Sequence, residues 1–169
     1  MLSGATLGIL GLGEIGRELA TRAAAFGMRI VYHQRQALPE AEAAQWHAAY
    51  RPLEALLTES DWVSVNVPGS ASTRHMLDKA ALARMKPGAR LVNVSRADIV
   101  DREALIEALG SRRLGGFALD PLYEAPGRSD DALLAFGNVI ITPHLAAQPR
   151  FNALADMRDL ICQVGERLT

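Results

Sequence analysis

Thr6-Leu-Gly-Ile-Leu10 runs straight into Gly11-Leu12-Gly13-Glu14-Ile15-Gly16, and a helical pattern opens on the last glycine. A short apolar run, a glycine turn and then a helix is the strand–loop–helix context of a dinucleotide fingerprint. Gly11 permits the tight turn, Gly13 lets the backbone approach a pyrophosphate, and Gly16 lets helix and strand pack closely. The phosphates would meet the N–H groups of Glu14 and Ile15 at the helix N-terminus, where the helix dipole favours anions.

About 20 residues further on, an NAD site places an acidic residue on the ribose 2′-hydroxyl. Here the second strand ends in Tyr32-His33-Gln34-Arg35-Gln36, and no carboxylate follows until Glu40. Without that repulsion a 2′-phosphate is accepted by Arg35, helped by Gln34 or His33, so NADP(H) is expected over NAD(H). The competing reading has Arg35 solvated, or stacked on the adenine whichever cofactor is bound.

Outward from this motif, apolar runs alternate with helical stretches. Strands are expected at 6–10, 29–32, 62–67, 91–94, 116–119 and 139–142, rich in Val, Ile and Leu without strict alternation, as in strands covered on both faces. Apolar stripes at helical spacing comprise Ile15, Leu19, Ala23 and Phe26; Leu105, Ile106 and Leu109; and Phe151, Leu154, Met157, Ile161, Val164 and Leu168. Asp101 reads as an N-cap with Glu103 in the first turn, and Pro87-Gly88 stops a helix that starts near Asp78. The β-then-α alternation predicts an α/β fold: a Rossmann-type doubly wound parallel sheet in one three-layer domain spanning 1–169, with a surface loop at 121–130.

Composition narrows the class. The chain has 169 residues, 49% of them hydrophobic and 22% charged, enough for a buried core and against a disordered or fibrous chain. Its 18 basic and 19 acidic residues leave a net charge of −1, which gives no field to attract nucleic acid or an anionic membrane. The single Cys162 excludes an intrachain disulfide and a cysteine-rich metal site, and no metal is expected. With no spanning apolar run and no signal-peptide pattern, the expected location is cytoplasmic.

Several linked stretches resemble the cofactor domain of the D-isomer-specific 2-hydroxyacid dehydrogenases. They are 2–16, Phe26-Gly-Met28, Ser60-Asp61 before a strand leading to Pro68, and Thr73-Arg74-His75. Met85-Lys-Pro-Gly-Ala-Arg-Leu-Val-Asn93-Val-Ser-Arg96, Asp98-Ile-Val-Asp101, Gly116-Phe-Ala-Leu-Asp120 and Asn138-Val-Ile-Ile-Thr142-Pro-His144 follow in the family's order. The resemblance implies hydride transfer between a nicotinamide and a 2-oxo or 2-hydroxy acid, of the glyoxylate or hydroxypyruvate reductase kind. It implies that Arg96 grips the substrate carboxylate and that His144 is the acid–base. It places Asp120 on the nicotinamide amide, Val94, Ser95 and Ala146 beside the nicotinamide end, and Val67, Pro68 and Thr73 along the nucleotide.

The sequence departs from the family pattern in places. The carboxylate that normally pairs with the His falls at Ala125, leaving Glu124, one residue early, as its substitute. Ala97 replaces the Gly after the Arg, and Ala146-Ala147-Gln148 replaces small residues after the His. Family enzymes are about twice as long and carry a second domain, so the chain is expected to be a cofactor domain with weak or no turnover alone. A non-catalytic NAD(P)-binding scaffold or sensor is the alternative. A homodimer is expected through helix faces that the sheet does not cover, with Trp46 and Tyr50 as exposed candidates, and Cys162 as a small core residue.

Overall fold

The computed structural model describes residues 1–124 and 127–146. Seven strands make one all-parallel sheet: β1 Thr6–Leu10, β2 Arg29–His33, β3 Ala48–Tyr50, β4 Trp62–Val65, β5 Ala89–Asn93, β6 Leu114–Leu119 and β7 Val139–Ile141. Their order is β3-β2-β1-β4-β5-β6-β7, so the winding reverses between β1 and β4 and a crevice opens at their carboxyl ends. The helices are α1 Glu14–Ala25, α2 Glu40–Ala44, α3 Leu53–Glu59, α4 Lys79–Arg84 and α5 Arg102–Gly110. The expected Rossmann-like α/β architecture is the observed one.

Side-chain parity builds a core on each face. Ile30 and Tyr32 turn with Leu7 and Ile9 toward Ala20 and Ala23 of α1 and Ala43 of α2. Val31, Val63, Val65, Leu91 and Phe117 turn the other way, onto α3, α4 and α5. Gly8 lets α3 approach β1, since a Cβ there would sit 2.6 Å from Leu56 Cδ2. The predicted N-cap holds at Asp101, which accepts from Ala104 N–H at 2.9 Å, and the helix expected near Asp78 is capped by it, Asp78 accepting from Ala81 N–H at 2.8 Å.

On the α1 face exposure rises across the sheet toward β7 among the described residues. Ser64, Val92, Ala118 and Ile140 are lateral partners across β4, β5, β6 and β7 and therefore share one face. Ile140 is 67% exposed, and three adjoining clefts that all include Val92 form an apolar trough along this row.

Several expectations need correction. β3 was not expected; it is a three-residue edge strand in which only Ala48 is buried, too short for a periodic signal. β4 ends at Val65, and β5 begins at Ala89 and ends at Asn93. The α1 stripe is wrong at both ends: Ile15 and Phe26 are 64% and 62% exposed, and the buried residues are Gly16, Ala20 and Ala23. Small side chains face the sheet because Gly16 brings the helix too close for large ones. Trp46 is half-buried under the Arg17 guanidinium, while Tyr50 is exposed as expected. The last stripe, Cys162, Ala125 and the 147–148 positions lie outside the described residues.

Candidate functional site

All the strands of the sheet end on one edge, and the sequence-predicted site residues follow β1, β2, β4, β5, β6 and β7 there. Gly11 has φ +92°, a conformation that side-chain-bearing residues rarely adopt, and its N–H donates to the His33 carbonyl at 2.8 Å. It also closes the crevice: a Cβ on Gly11 would sit 3.0 Å from Val67 N. A Cβ on Gly16 would sit 2.2 Å from the Gly11 carbonyl oxygen.

Gly13 differs from both. Among the described residues a Cβ there would meet nothing within 4 Å. Its glycine is therefore not required by the protein's own packing, and the space beside it is open. Intrahelical bonding begins with Arg17 N–H on the Gly13 carbonyl, at 2.9 Å, so the N–H groups of Glu14 and Ile15 precede the ladder. An exposed glycine at the start of a twelve-residue helix, with donors beside it, fits a dinucleotide pyrophosphate.

Gln34 stands where an acid would sit in an NAD site. Its Oε1 accepts from Leu12 N–H at 3.1 Å and its Nε2 donates to the Gln36 carbonyl at 2.8 Å, tying the β2 end to the glycine loop. His33 Nδ1 lies 3.0 Å from the Arg51 carbonyl oxygen. Arg35 is exposed and makes no hydrogen bond or ion pair among the described residues. Arg17, by contrast, is committed to the Leu12 carbonyl and to Glu42.

Across the crevice, Thr73 Oγ1 donates to the Pro68 carbonyl at 2.8 Å and accepts from Ser70 N–H at 2.9 Å, which closes the loop after β4. Ser95 Oγ donates to the Val67 carbonyl, joining the ends of β4 and β5. Arg96 is exposed, with Nη1 donating to the Ser95 carbonyl at 2.8 Å. Gly69 leaves room for its stem, since a Cβ there would sit 2.6 Å from Arg96 Cγ. Ala97 is buried in a 3-10 turn (97–99) and is not among the positive-φ residues, so its methyl is accommodated without backbone strain.

Asp120 anchors the loop that bears His144. Its Oδ1 accepts from Thr142 Oγ1 at 2.6 Å, Leu145 N–H at 2.8 Å and Ala146 N–H at 3.0 Å. Its carbonyl accepts from His144 N–H at 2.9 Å. Burial works to raise the Asp120 carboxyl, but the Thr142, Ala146 and Leu145 donors and the nearby His144 together hold it below the ordinary value. His144 itself is exposed at φ +58°. Asn93, Val94, Asp120, Thr142 and Ala146 line a mostly apolar cleft of about 350 Å³.

Glu124 shares a cleft with Pro143, the residue before His144, but does not pair with the imidazole among the described residues. Arg128 and Asp131 line the same cleft, and the charge of Glu124 acts on Arg128. Two residues that sequence reasoning gave no role emerge here. Gly69 lies under Arg96, and the fully buried Asn93 is bonded to the Ser95–Arg96 backbone. A polar residue closing the apolar run Leu91-Val92-Asn93 was the available signal for the second.

The family described as D-isomer specific 2-hydroxyacid dehydrogenase, NAD binding domain, matches residues 1–146. A glyoxylate reductase of Thermococcus gammatolerans is 43% identical over 160 residues, covering 95% of this chain and 47% of that protein. The crystal structure of a glyoxylate reductase from Paecilomyes thermophila superposes with a TM-score of 0.85 at 38% identity, covering 95% of this chain and 48% of that one. An acyclic imino acid reductase in complex with NADPH and D-Arg gives a TM-score of 0.86 at 28% identity, covering 99% and 52%. The chain spans about half the length of the curated relatives it matches.

Proposed function

The chain belongs to the D-isomer-specific 2-hydroxyacid dehydrogenase family, whose NAD-binding domain it carries, and from that premise we propose that it serves an oxidoreductase acting on a small 2-oxo or 2-hydroxy acid. The observation that carries the reading is the open Gly13 cradle on the same sheet edge as the Arg96 and His144 loops. The bound dinucleotide supplies or accepts the hydride. The N–H groups of Glu14 and Ile15 would hold its pyrophosphate beside Gly13, with Gly11 and Gly16 shaping the turn and the helix packing; Val67, Pro68 and Thr73 would flank it, and Val94, Ser95, Asp120 and Ala146 would surround the nicotinamide end. Arg96 binds the substrate carboxylate by a charge-assisted pair, and His144 exchanges the proton of the substrate oxygen. Glu124 is the candidate carboxylate partner of His144, and its loop would have to bring it there.

Within this reading the cofactor is NADP(H) rather than NAD(H). An amide at Gln34 replaces the acid, and Arg35 is free to meet a 2′-phosphate. The NADPH held by the acyclic imino acid reductase agrees with that preference. Glyoxylate is the first substrate to try, given the names of the relatives. The location proposed is cytoplasmic; among the described residues no helix is long and apolar enough to cross a membrane. A homodimer is proposed through helix faces that the sheet does not cover, with Tyr50 as an exposed candidate, sedimentation at several concentrations as its test and a persistent monomer as the contrary result.

A thermal-shift titration tests the reading as a whole. At 100 times its dissociation constant a native-state ligand adds about 2.7 kcal/mol, so NADPH should raise the unfolding midpoint by several degrees; no rise at millimolar NADPH overturns the proposal. Turnover by this chain alone is expected to be weak or absent, and a robust NADPH-dependent rate with glyoxylate, hydroxypyruvate or pyruvate would contradict that.

A further inference from the structure

Asn93 ends β5, a central strand, where its backbone is paired with Val65 of β4 on one side and Leu119 of β6 on the other. It is 0% exposed, and its carbonyl accepts from Asp120 N–H at 3.0 Å. A buried primary amide must be hydrogen-bonded or it destabilises the fold. Here both ends of the amide are spent on one short piece of chain: Oδ1 accepts from Ser95 N–H at 3.0 Å, and Nδ2 donates to the Arg96 carbonyl at 2.8 Å.

The effect falls on Arg96. Its backbone is held extended, at φ −135° and ψ 137°, just before the 3-10 turn, and its stem lies across Gly69. With the Ser95 N–H and the Arg96 carbonyl both fastened to one immobile side chain, the guanidinium leaves the sheet edge from a defined point. A carboxylate is gripped bidentately only if that point is held, because the guanidinium fork is directional. The geometry points to Asn93 as a positioning residue that sets the affinity of Arg96 for the substrate carboxylate, an inference that rests on the role proposed above for Arg96.

Asn93→Asp is nearly isosteric and separates this role from simple packing. Its carboxylate keeps the Ser95 bond but has no hydrogen for the Arg96 carbonyl; full burial against that carbonyl disfavours the charged form, so the introduced acid protonates well above the ordinary carboxylate range and then donates that hydrogen bond again. The full chain saturated with NADPH is titrated with oxamate, a stable 2-oxo-acid analogue, from pH 8 down to pH 5.5, using wild type, Asn93→Asp and Arg96→Ala. Asp120, His144 and Arg96 face this region in wild type and Asn93→Asp alike, so the ratio of the two affinities isolates the introduced carboxyl. Circular dichroism checks that each variant is folded.

Arg96→Ala is expected to weaken oxamate binding at least tenfold. Asn93→Asp is expected to weaken it about tenfold at pH 8 and to approach wild type as the pH falls. Wild-type affinity at pH 8, or an equal loss at every pH, overturns the positioning role while leaving the Arg96 reading intact. Equal oxamate affinity in wild type and Arg96→Ala overturns the Arg96 reading and this inference with it.

Discussion

Alanine placed in turn at Gly13 and at Gly16 should separate binding from folding. A Cβ on Gly16 falls 2.2 Å from the Gly11 carbonyl oxygen, about 1 Å inside van der Waals contact. Overpacking of that kind costs about 3 kcal/mol, and the better helix propensity of Ala returns about 1 kcal/mol. Gly16→Ala is therefore expected to lose about 2 kcal/mol of stability. At Gly13 a Cβ meets nothing within 4 Å among the described residues, and the backbone at φ −79° and ψ −162° suits any residue. The weaker N-cap and the reduced freedom of the unfolded chain nearly cancel, so the stability of Gly13→Ala should stay within about 0.5 kcal/mol of wild type. Its methyl would nevertheless occupy the space assigned to the pyrophosphate and cost about one charge-assisted hydrogen bond. That loss is about 1.5–3 kcal/mol, or roughly 10–150-fold in affinity. Urea unfolding followed by tryptophan fluorescence gives the stabilities, and NADPH titration gives the affinities. A folded Gly13→Ala protein that binds NADPH as wild type does would refute the cradle.

Arg35→Ala should weaken NADPH about 10–100-fold while changing NADH less than about threefold, because only the 2′-phosphate contact is lost; equal losses, measured by competition titration, would instead support stacking on the adenine. Asp120→Asn tests the carboxylate that anchors the His144 loop. A carboxyl held below its ordinary value stabilises the fold above about pH 4 and loses that contribution as the pH falls through its folded value. Asp120→Asn should therefore be less stable than wild type at pH 7, with the gap narrowing toward pH 2–3 in urea titrations (roughly, from the reference carboxylate range); a gap that widens in acid would contradict the assignment.

The glycine loop and most of the strands were legible because each depends on local chemistry. Gly11 reports a backbone conformation, Asp78 and Asp101 report unsatisfied helix N–H groups, and Val-rich runs report strands between layers. Ala48–Tyr50 was not legible, since three residues on a sheet edge with one buried position carry no period. The α1 stripe misled for a related reason. Ile15 and Phe26 fit helical spacing, but Gly16 presses the helix onto the sheet and reserves the interface for Ala20 and Ala23. At the site, the partners of the candidate residues were not legible from residue types. Gln34 is expected to help Arg35 at a 2′-phosphate and is found bonded to the glycine loop, while the hydrogen bonds of Asn93 form only once the strand end folds over it. Glu124 lies one residue from the expected carboxylate position and is found beside Arg128, because a one-residue offset in a loop redirects a side chain.

Titration of the full chain with NADPH and with NADH, following energy transfer from Trp46 and Trp62 to the reduced nicotinamide, tests the central claim most directly. Saturable binding with NADPH at least tenfold tighter than NADH is the expected result. Saturable binding that favours NADH would contradict the cofactor assignment, and binding of neither would contradict the claim that this sheet edge is a dinucleotide site.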